Sequence, residues 1–168
     1  MSEQVFQQPL IINDSIAVFS SCRRYRYTLW RGIGAEYVQF IGLNPSTADE
    51  VKDDQTIRKC TRFVQLLGYS RFCMTNLFSY RATVPSEMKK ATFPVGEETD
   101  KWLLDISSKA ALVIAAWGVH GTFLSRDKEV IQMLPNLHCF GFSKNGSPLH
   151  PLMLPYTTKI EKFENYAD

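Results

Sequence analysis

The chain is poor in the features that announce a metal centre, a disulfide framework or a membrane protein. Its four cysteines, Cys22, Cys60, Cys73 and Cys139, include no Cys-x-x-Cys pair, and no histidine stands at metal-ligand spacing from them. Scattered thiols of this kind read as reduced residues in or near the core rather than as a shared metal or iron–sulfur site. No apolar run approaches the length of a transmembrane helix. Residues 1–8 are polar and lack the apolar centre of a signal peptide, which sets the expectation of a cytoplasmic protein with no membrane association. The formal net charge is only +2, too small to mark a nucleic-acid partner by bulk field alone, although a local basic patch serves the same purpose.

What is present describes an ordinary globular chain. At 168 residues, 45% apolar and 21% charged, it is long enough for one domain over 1–168 with its own core, and no linker, repeat or low-complexity tract divides it. Residues 37–46 read Tyr-Val-Gln-Phe-Ile-Gly-Leu-Asn-Pro-Ser. A buried-type apolar run that ends abruptly in Gly-x-Asn-Pro predicts a parallel strand feeding a tight loop, with Asn44 held at the strand's carboxyl end. In open α/β sheets that edge is where ligands bind.

The rest of the pattern supports the same class. Residues 15–22 and 25–31 are short and β-rich, which predicts an N-terminal hairpin or edge pair. Asp53 and Asp54 suit the start of a helix that carries Ile57, Cys60, Val64 and Leu67 inward and stops at Gly68. Strands follow at 71–78, 111–116 and 137–142, with helices at 96–108 and 121–134, a long loop at 79–95 with room for a turn of helix, and a short helix in the tail at 157–166. Alternating strands and helices predict a three-layer α/β/α sandwich on a small, mainly parallel central sheet. Polar clusters then fall at four strand ends: Asn44, Asn76, residues 117–120 with Trp117 and His120, and His150. Their convergence is what a pocket requires.

Taken whole, the chain resembles the family catalogued as domain of unknown function 1643. The matching stretches are residues 22–31 (Cys-Arg-Arg-Tyr-Arg-Tyr-Thr-Leu-Trp-Arg), 41–49 (Ile-Gly-Leu-Asn-Pro-Ser-Thr-Ala-Asp), 76–83 (Asn-Leu-Phe-Ser-Tyr-Arg-Ala-Thr), 115–121 (Ala-Ala-Trp-Gly-Val-His-Gly) and 148–151 (Pro-Leu-His-Pro). More remotely, residues 38–45 are similar to the first motif of the uracil-DNA glycosylase superfamily, above all its mismatch-specific thymine/uracil branch. Residues 74–83 and 113–118 resemble that superfamily's second and third strands, and His150-Pro151 its closing motif. Two features depart from that pattern: Leu152, Met153 and Leu154 follow His-Pro, and residues 144–149 form an insertion before the histidine.

The remote resemblance implies a uracil-DNA glycosylase-like fold and hydrolysis of the N-glycosidic bond of a damaged or modified base, in DNA or in a nucleotide, without a cofactor. Asn44 and His150 would be catalytic. Asn44 orients water through its carbonyl oxygen, and His150 donates to the base oxygen where negative charge accumulates. Asn76 suits the edge of a pyrimidine. Gly42, Pro45, Ser46, Trp117 and His120 would border the substrate, and Arg81 would contact a phosphate. Each residue also has a plainer reading. Asn44 can cap its loop, Asn76 can bridge two strands, and the arginines of the hairpin (Arg23, Arg24, Arg26, Arg31) can guard a sheet edge.

Two other functions fit the same sequence. One is a non-catalytic module that holds a nucleotide or modified base in that pocket. The other is metal-dependent phosphoryl or phosphodiester hydrolysis on Asp49, Asp53 and Asp54, against which stands simple capping of the helix. Asp49 is also close enough in sequence to Asn44 to serve as an alternative base. Leu152, Met153 and Leu154 read either as a duplex wedge or as packing under the last helix. Nothing in the sequence sets the oligomeric state.

Overall fold

The computed structural model describes residues 16–164. The outer ends of the expected hairpin, at Ser15, and of the expected tail helix, at 165–166, lie outside the described residues. Among those described, one seven-stranded sheet is built from β1 (Ile16–Phe19), β2 (Arg26–Gly32), β3 (Val38–Gly42), β4 (Arg71–Asn76), β5 (Leu112–Ala115), β6 (Leu137–Cys139) and β7 (Glu161–Lys162). Four α-helices accompany it: α1 (Gln55–Leu66), α2 (Pro85–Lys90), α3 (Thr99–Lys109) and α4 (Arg126–Met133).

The strand order is β1-β2-β4-β3-β5-β6-β7. At its centre β4, β3, β5 and β6 are parallel, as the alternating pattern predicts. The sheet as a whole is nevertheless mixed rather than mainly parallel. The N-terminal hairpin is the expected edge pair, joined through β2 antiparallel to β4, and β7 adds antiparallel to β6 at the far edge. The expected tail helix is therefore corrected to a turn and a strand. Strand β7 gives β6 a hydrogen-bonded neighbour and brings Phe163 against Phe142 and Trp117.

The period-two alternation of the strands sorts their side chains onto two faces. Val38, Phe40, Phe72, Met74 and Ile114 pack with Ile57, Cys60, Phe63 and Val64 of α1. Ile41, Val113 and Ala115 pack instead with Met88, Leu103 and Val130 from α2, α3 and α4. Each large apolar side chain so removed from water contributes roughly 1.5–3 kcal/mol. Helix α1 starts where the acidic pair predicts, with Asp54 Oδ1 accepting the Ile57 N–H at 2.9 Å.

The single helix expected over 121–134 is broken. A 3₁₀ turn occupies Val119–Ser125, Leu124 and Ser125 adopt left-handed φ of 55° and 54°, and α4 begins only at Arg126. Two contacts explain the break. Gly121 lies against the Trp117 ring, where a Cβ would stand 2.2 Å from the indole. Arg126 is turned inside, where it donates to the Leu77 carbonyl at 2.9 Å and pairs with Asp100 and Glu129. A continuous helix would not place both.

Candidate functional site

The parallel strands end on one edge, and a cleft of about 600 Å³ opens there. Strand β3 delivers Gly42 and Asn44, β4 delivers Asn76, the exit of β5 delivers Trp117 and His120, and the loop after β6 delivers His150. Ser46 completes the set. The cleft thus brings together seven of the nine residues expected at the site from sequence. The other two stand apart from it. Pro45 is buried, presenting its carbonyl to the Ala82 N–H at 2.9 Å, and Arg81 lines an adjoining concavity.

Asn44 is held by its amide nitrogen. Nδ2 donates to the carbonyl oxygens of Pro45 at 3.1 Å and Ala82 at 2.9 Å. Both N–H groups are thereby engaged, and Oδ1 is left as the acceptor available to the cleft. The loop cap and the cleft-facing acceptor are the same side chain, so the plainer reading of Asn44 and the functional one coexist.

His150 is fixed by a backbone donor. The Leu152 N–H donates to His150 Nδ1 at 3.1 Å, within the 3₁₀ turn Pro151–Met153. An Nδ1 that accepts carries no proton, so the neutral ring bears its hydrogen on Nε2 and can donate it elsewhere. As a residue His150 is exposed at the cleft mouth, yet the walls crowd its ring. That desolvation lowers its pKa from the ordinary histidine value, with the Asp54 charge acting in the opposite direction.

Asn76 is 3% exposed, and its Nδ2 has no hydrogen-bond partner. It stands directly across the β3–β4 ladder from Gly42. A Cβ at Gly42 would lie 2.8 Å from Asn76 Oδ1, so the glycine gives the carboxamide its room. Trp117 is almost wholly buried, and its indole Nε1 is likewise without a partner. His120 is exposed at the rim, with Nδ1 3.1 Å from the Lys89 ammonium.

Sequence reasoning assigned Arg26 only to the hairpin, but the structure places it in the cleft wall, 2% exposed. Its Nη1 donates to the Ala48 carbonyl at 2.9 Å, and its Nε has no partner. Burial lowers its pKa to about 10 while Asp54 opposes the shift, so it remains a cation at neutral pH. Asp54 lines the cleft as well. The β1–β2 ladder shifts register between Thr28 and Arg26, so simple alternation along β2 carried no signal for this placement.

The three carboxylates weighed as metal ligands are separately engaged. Asp49 accepts the Val51 and Lys52 N–H groups at 2.9 and 2.7 Å, Asp53 pairs with Arg31 at 2.7 Å, and Asp54 caps α1. Among the described residues no group of three or more His, Cys, Asp or Glu is gathered to hold a metal ion. Asp49 does not line the cleft either, whereas Asp54 does. Three of the cysteines, Cys60, Cys73 and Cys139, are buried, and burial raises the pKa of each. Cys22 is exposed. No helix among the described residues is long and apolar enough to cross a membrane.

Fold and cleft together define an α/β protein with a mainly apolar pocket, set with a few polar side chains, at the carboxyl ends of its central parallel strands. Residues 26–152 match the family described as protein of unknown function (DUF1643), and the chain belongs to that family. Neither a curated protein nor a solved structure matches it, so the resemblance to the uracil-DNA glycosylase superfamily gains no support from these comparisons.

Proposed function

We propose that the cleft hydrolyses an N-glycosidic bond of a damaged or modified base, in DNA or in a nucleotide, on a fold arranged like the three-layer uracil-DNA glycosylases. The observation that carries this reading is the pairing of Asn44 and His150 in one cleft. One has its amide hydrogens engaged and an acceptor oxygen to offer. The other has its acceptor nitrogen engaged and a donor to offer. Glycosidic cleavage requires both functions on opposite sides of the breaking bond.

In this mechanism Asn44 Oδ1 orients water toward the anomeric carbon. Positive charge builds on the sugar and negative charge on the departing base, whose oxygen accepts a hydrogen bond from His150 Nε2–H, so that the base leaves as its anion and takes its proton from solvent. Asn76 Nδ2, buried and unpaired, is a donor for the base edge. The Arg26 guanidinium in the wall favours the charge that develops on the base. Since a carboxamide is not a strong base, the proton leaves the attacking water for solvent or for Asp54, the carboxylate of the cleft.

Weakness of Asn44 as a base favours one second reading, a module that binds a nucleotide or modified base in the same cleft without turnover. Mass-spectrometric detection of free bases released from DNA and nucleotide pools carrying varied modifications separates the two. Base released by the wild type and lost in Asn44→Ala, with binding retained, supports hydrolysis. Binding without release by the folded wild type across a broad panel supports the module.

A further inference from the structure

We propose that the concavity beside the cleft is a phosphate site, so that the occupant of the cleft is a phosphorylated nucleoside rather than a bare base or nucleoside. The nucleoside half of this statement rests on the reading above; the phosphate site rests on its own observations. A hollow of about 390 Å³ is lined by Arg23, Arg24, Ser46, Thr47, Arg81 and Thr83, together with Ala82. Ser46, Ala82 and Thr83 also line the cleft. The two spaces therefore share a wall, as the base and phosphate of one nucleotide require.

The hollow gathers cationic side chains on one side of the cleft wall. Arg23 and Arg81 both lie over the Phe19 ring, with guanidinium carbons 4.0 and 4.8 Å from its centroid. Three guanidiniums around one hollow favour an anion within it. The neighbouring carboxylates supply only part of the countercharge. Glu50 pairs with Arg23 at 3.0 Å, and Asp49 is engaged by two backbone N–H groups. Neither Arg24 nor Arg81 forms an ion pair among the described residues. Arg81 Nε is buried with no partner at all.

Guarding a sheet edge does not explain this arrangement. Arg81 is not on the edge strand; it follows β4 and reaches back to the hairpin. Its N–H donates to the Arg24 carbonyl at 2.9 Å, and its Nη1 to the Arg23 carbonyl at 3.2 Å. The hairpin turn is thereby docked on the β4 exit, with the guanidiniums preset around the hollow. Arg23 holds a left-handed φ of 58° at the turn, a conformation that a side chain adopts only at some cost. Planar guanidinium forks and the hydroxyls of Ser46, Thr47 and Thr83 form a donor set matched to phosphate oxygens.

The test is a titration of the ¹⁵N-labelled full chain with inorganic phosphate at low ionic strength, following the arginine Nε–H signals. The Arg81 and Arg24 signals are expected to shift saturably, and Arg81→Gln or Arg24→Gln to weaken phosphate roughly five- to tenfold, Arg24→Gln with the rest of the spectrum unchanged and Arg81→Gln with changes confined to the hairpin turn it contacts. Shifts that chloride reproduces at matched ionic strength, or an unaltered affinity in both variants, overturn the site. Competition by 2-deoxyribose 5-phosphate or by an abasic trinucleotide then tells a free nucleotide from a strand. If neither displaces inorganic phosphate, the site does not serve a nucleotide. No base release is read in this experiment, so it fails or succeeds independently of the glycosidic mechanism.

Discussion

Gly42 and Asn76 face each other on the same rung of the β3–β4 ladder, and the missing side chain of the first is the space occupied by the second. A Cβ at position 42 would come within 2.8 Å of Asn76 Oδ1, the free end of a side chain that can swing away. Gly42→Ala should therefore leave the sheet intact and displace the carboxamide. The expected result is a melting temperature within a few degrees of wild type and a clear shift of the Asn76 side-chain amide resonances. Ligand binding should fall about tenfold, the loss of one well-placed hydrogen bond to a buried group. A chain with unchanged Asn76 signals would show that the glycine has another purpose.

Asn44 makes a sharper comparison possible, because its two donors point at carbonyl oxygens. Replacing it with alanine removes both hydrogen bonds, a loss of roughly 1–2 kcal/mol for partly wet carbonyls. Replacing it with aspartate is expected to do more damage, since a carboxylate would face the Pro45 and Ala82 oxygens without a hydrogen to offer. Thermal melts at neutral pH should rank wild type above Asn44→Ala and Asn44→Asp lowest. The gap between the two variants should narrow in acid as the carboxylate takes up a proton. Base release by Asn44→Ala should fall at least about 10²-fold if water positioning is its role.

Much of this arrangement could be read before the structure, and the reasons are local. The run from Val38 to Leu43 is apolar but for Gln39 and gives way to Asn44-Pro45, so a buried parallel strand with Asn44 at its exit followed from composition and turn chemistry alone. The Asp54 cap and the inward stripe of α1 were legible for the same reason. What local pattern does not carry is pairing. That β2 lies against β4, and that β7 closes the other edge, depends on contacts far apart in sequence, so the mixed character of the sheet was missed. The burial of Arg126 is equally invisible to local pattern. A charged residue in a helical pattern predicts a solvated face, whereas here it is 1% exposed and the helix breaks to admit it. At the site, the position of Arg26 in the wall was hidden because its neighbours suggested an exposed basic edge.

His150 gives the pH dependence a definite sign. Its folded-state pKa is lowered, chiefly because the crowded cleft disfavours the charged ring, and its Nδ1 is already accepting the Leu152 N–H. The unfolded chain therefore binds the proton more readily than the folded one. Stability contributed by neutral His150 is present above the ordinary histidine pKa and is lost as pH falls from there through the lowered folded value. The ¹⁵N spectrum of the ring should show the Nε2–H tautomer at neutral pH and a titration midpoint below that of an exposed histidine. In His150→Gln the part of the acid destabilisation that begins near the unfolded midpoint should disappear. A midpoint at or above the ordinary value would contradict the desolvated, backbone-fixed ring.

Arg126 should prove the most sensitive position outside the cleft. Its Nε donates to the Leu77 carbonyl at 2.9 Å, one residue beyond Asn76, while its other nitrogens reach Asp100 and Glu129. The two carboxylates are more than half exposed and can be rehydrated when the guanidinium is lost, so the ion pairs themselves contribute little. The Leu77 carbonyl has no such recourse inside the core, and a hydrogen bond from a charged donor is worth roughly 1.5–3 kcal/mol. Arg126→Met keeps the apolar stem and removes the donors. It should lower the unfolding free energy by about 2–3 kcal/mol in urea titrations, while Asp100→Asn should change it by less than about 1 kcal/mol. Because the bond anchors the β4 exit, Arg126→Met should also broaden the Asn76 amide signals. Equal losses in the two variants would mean that the ion pair, rather than the carbonyl contact, holds this corner of the site.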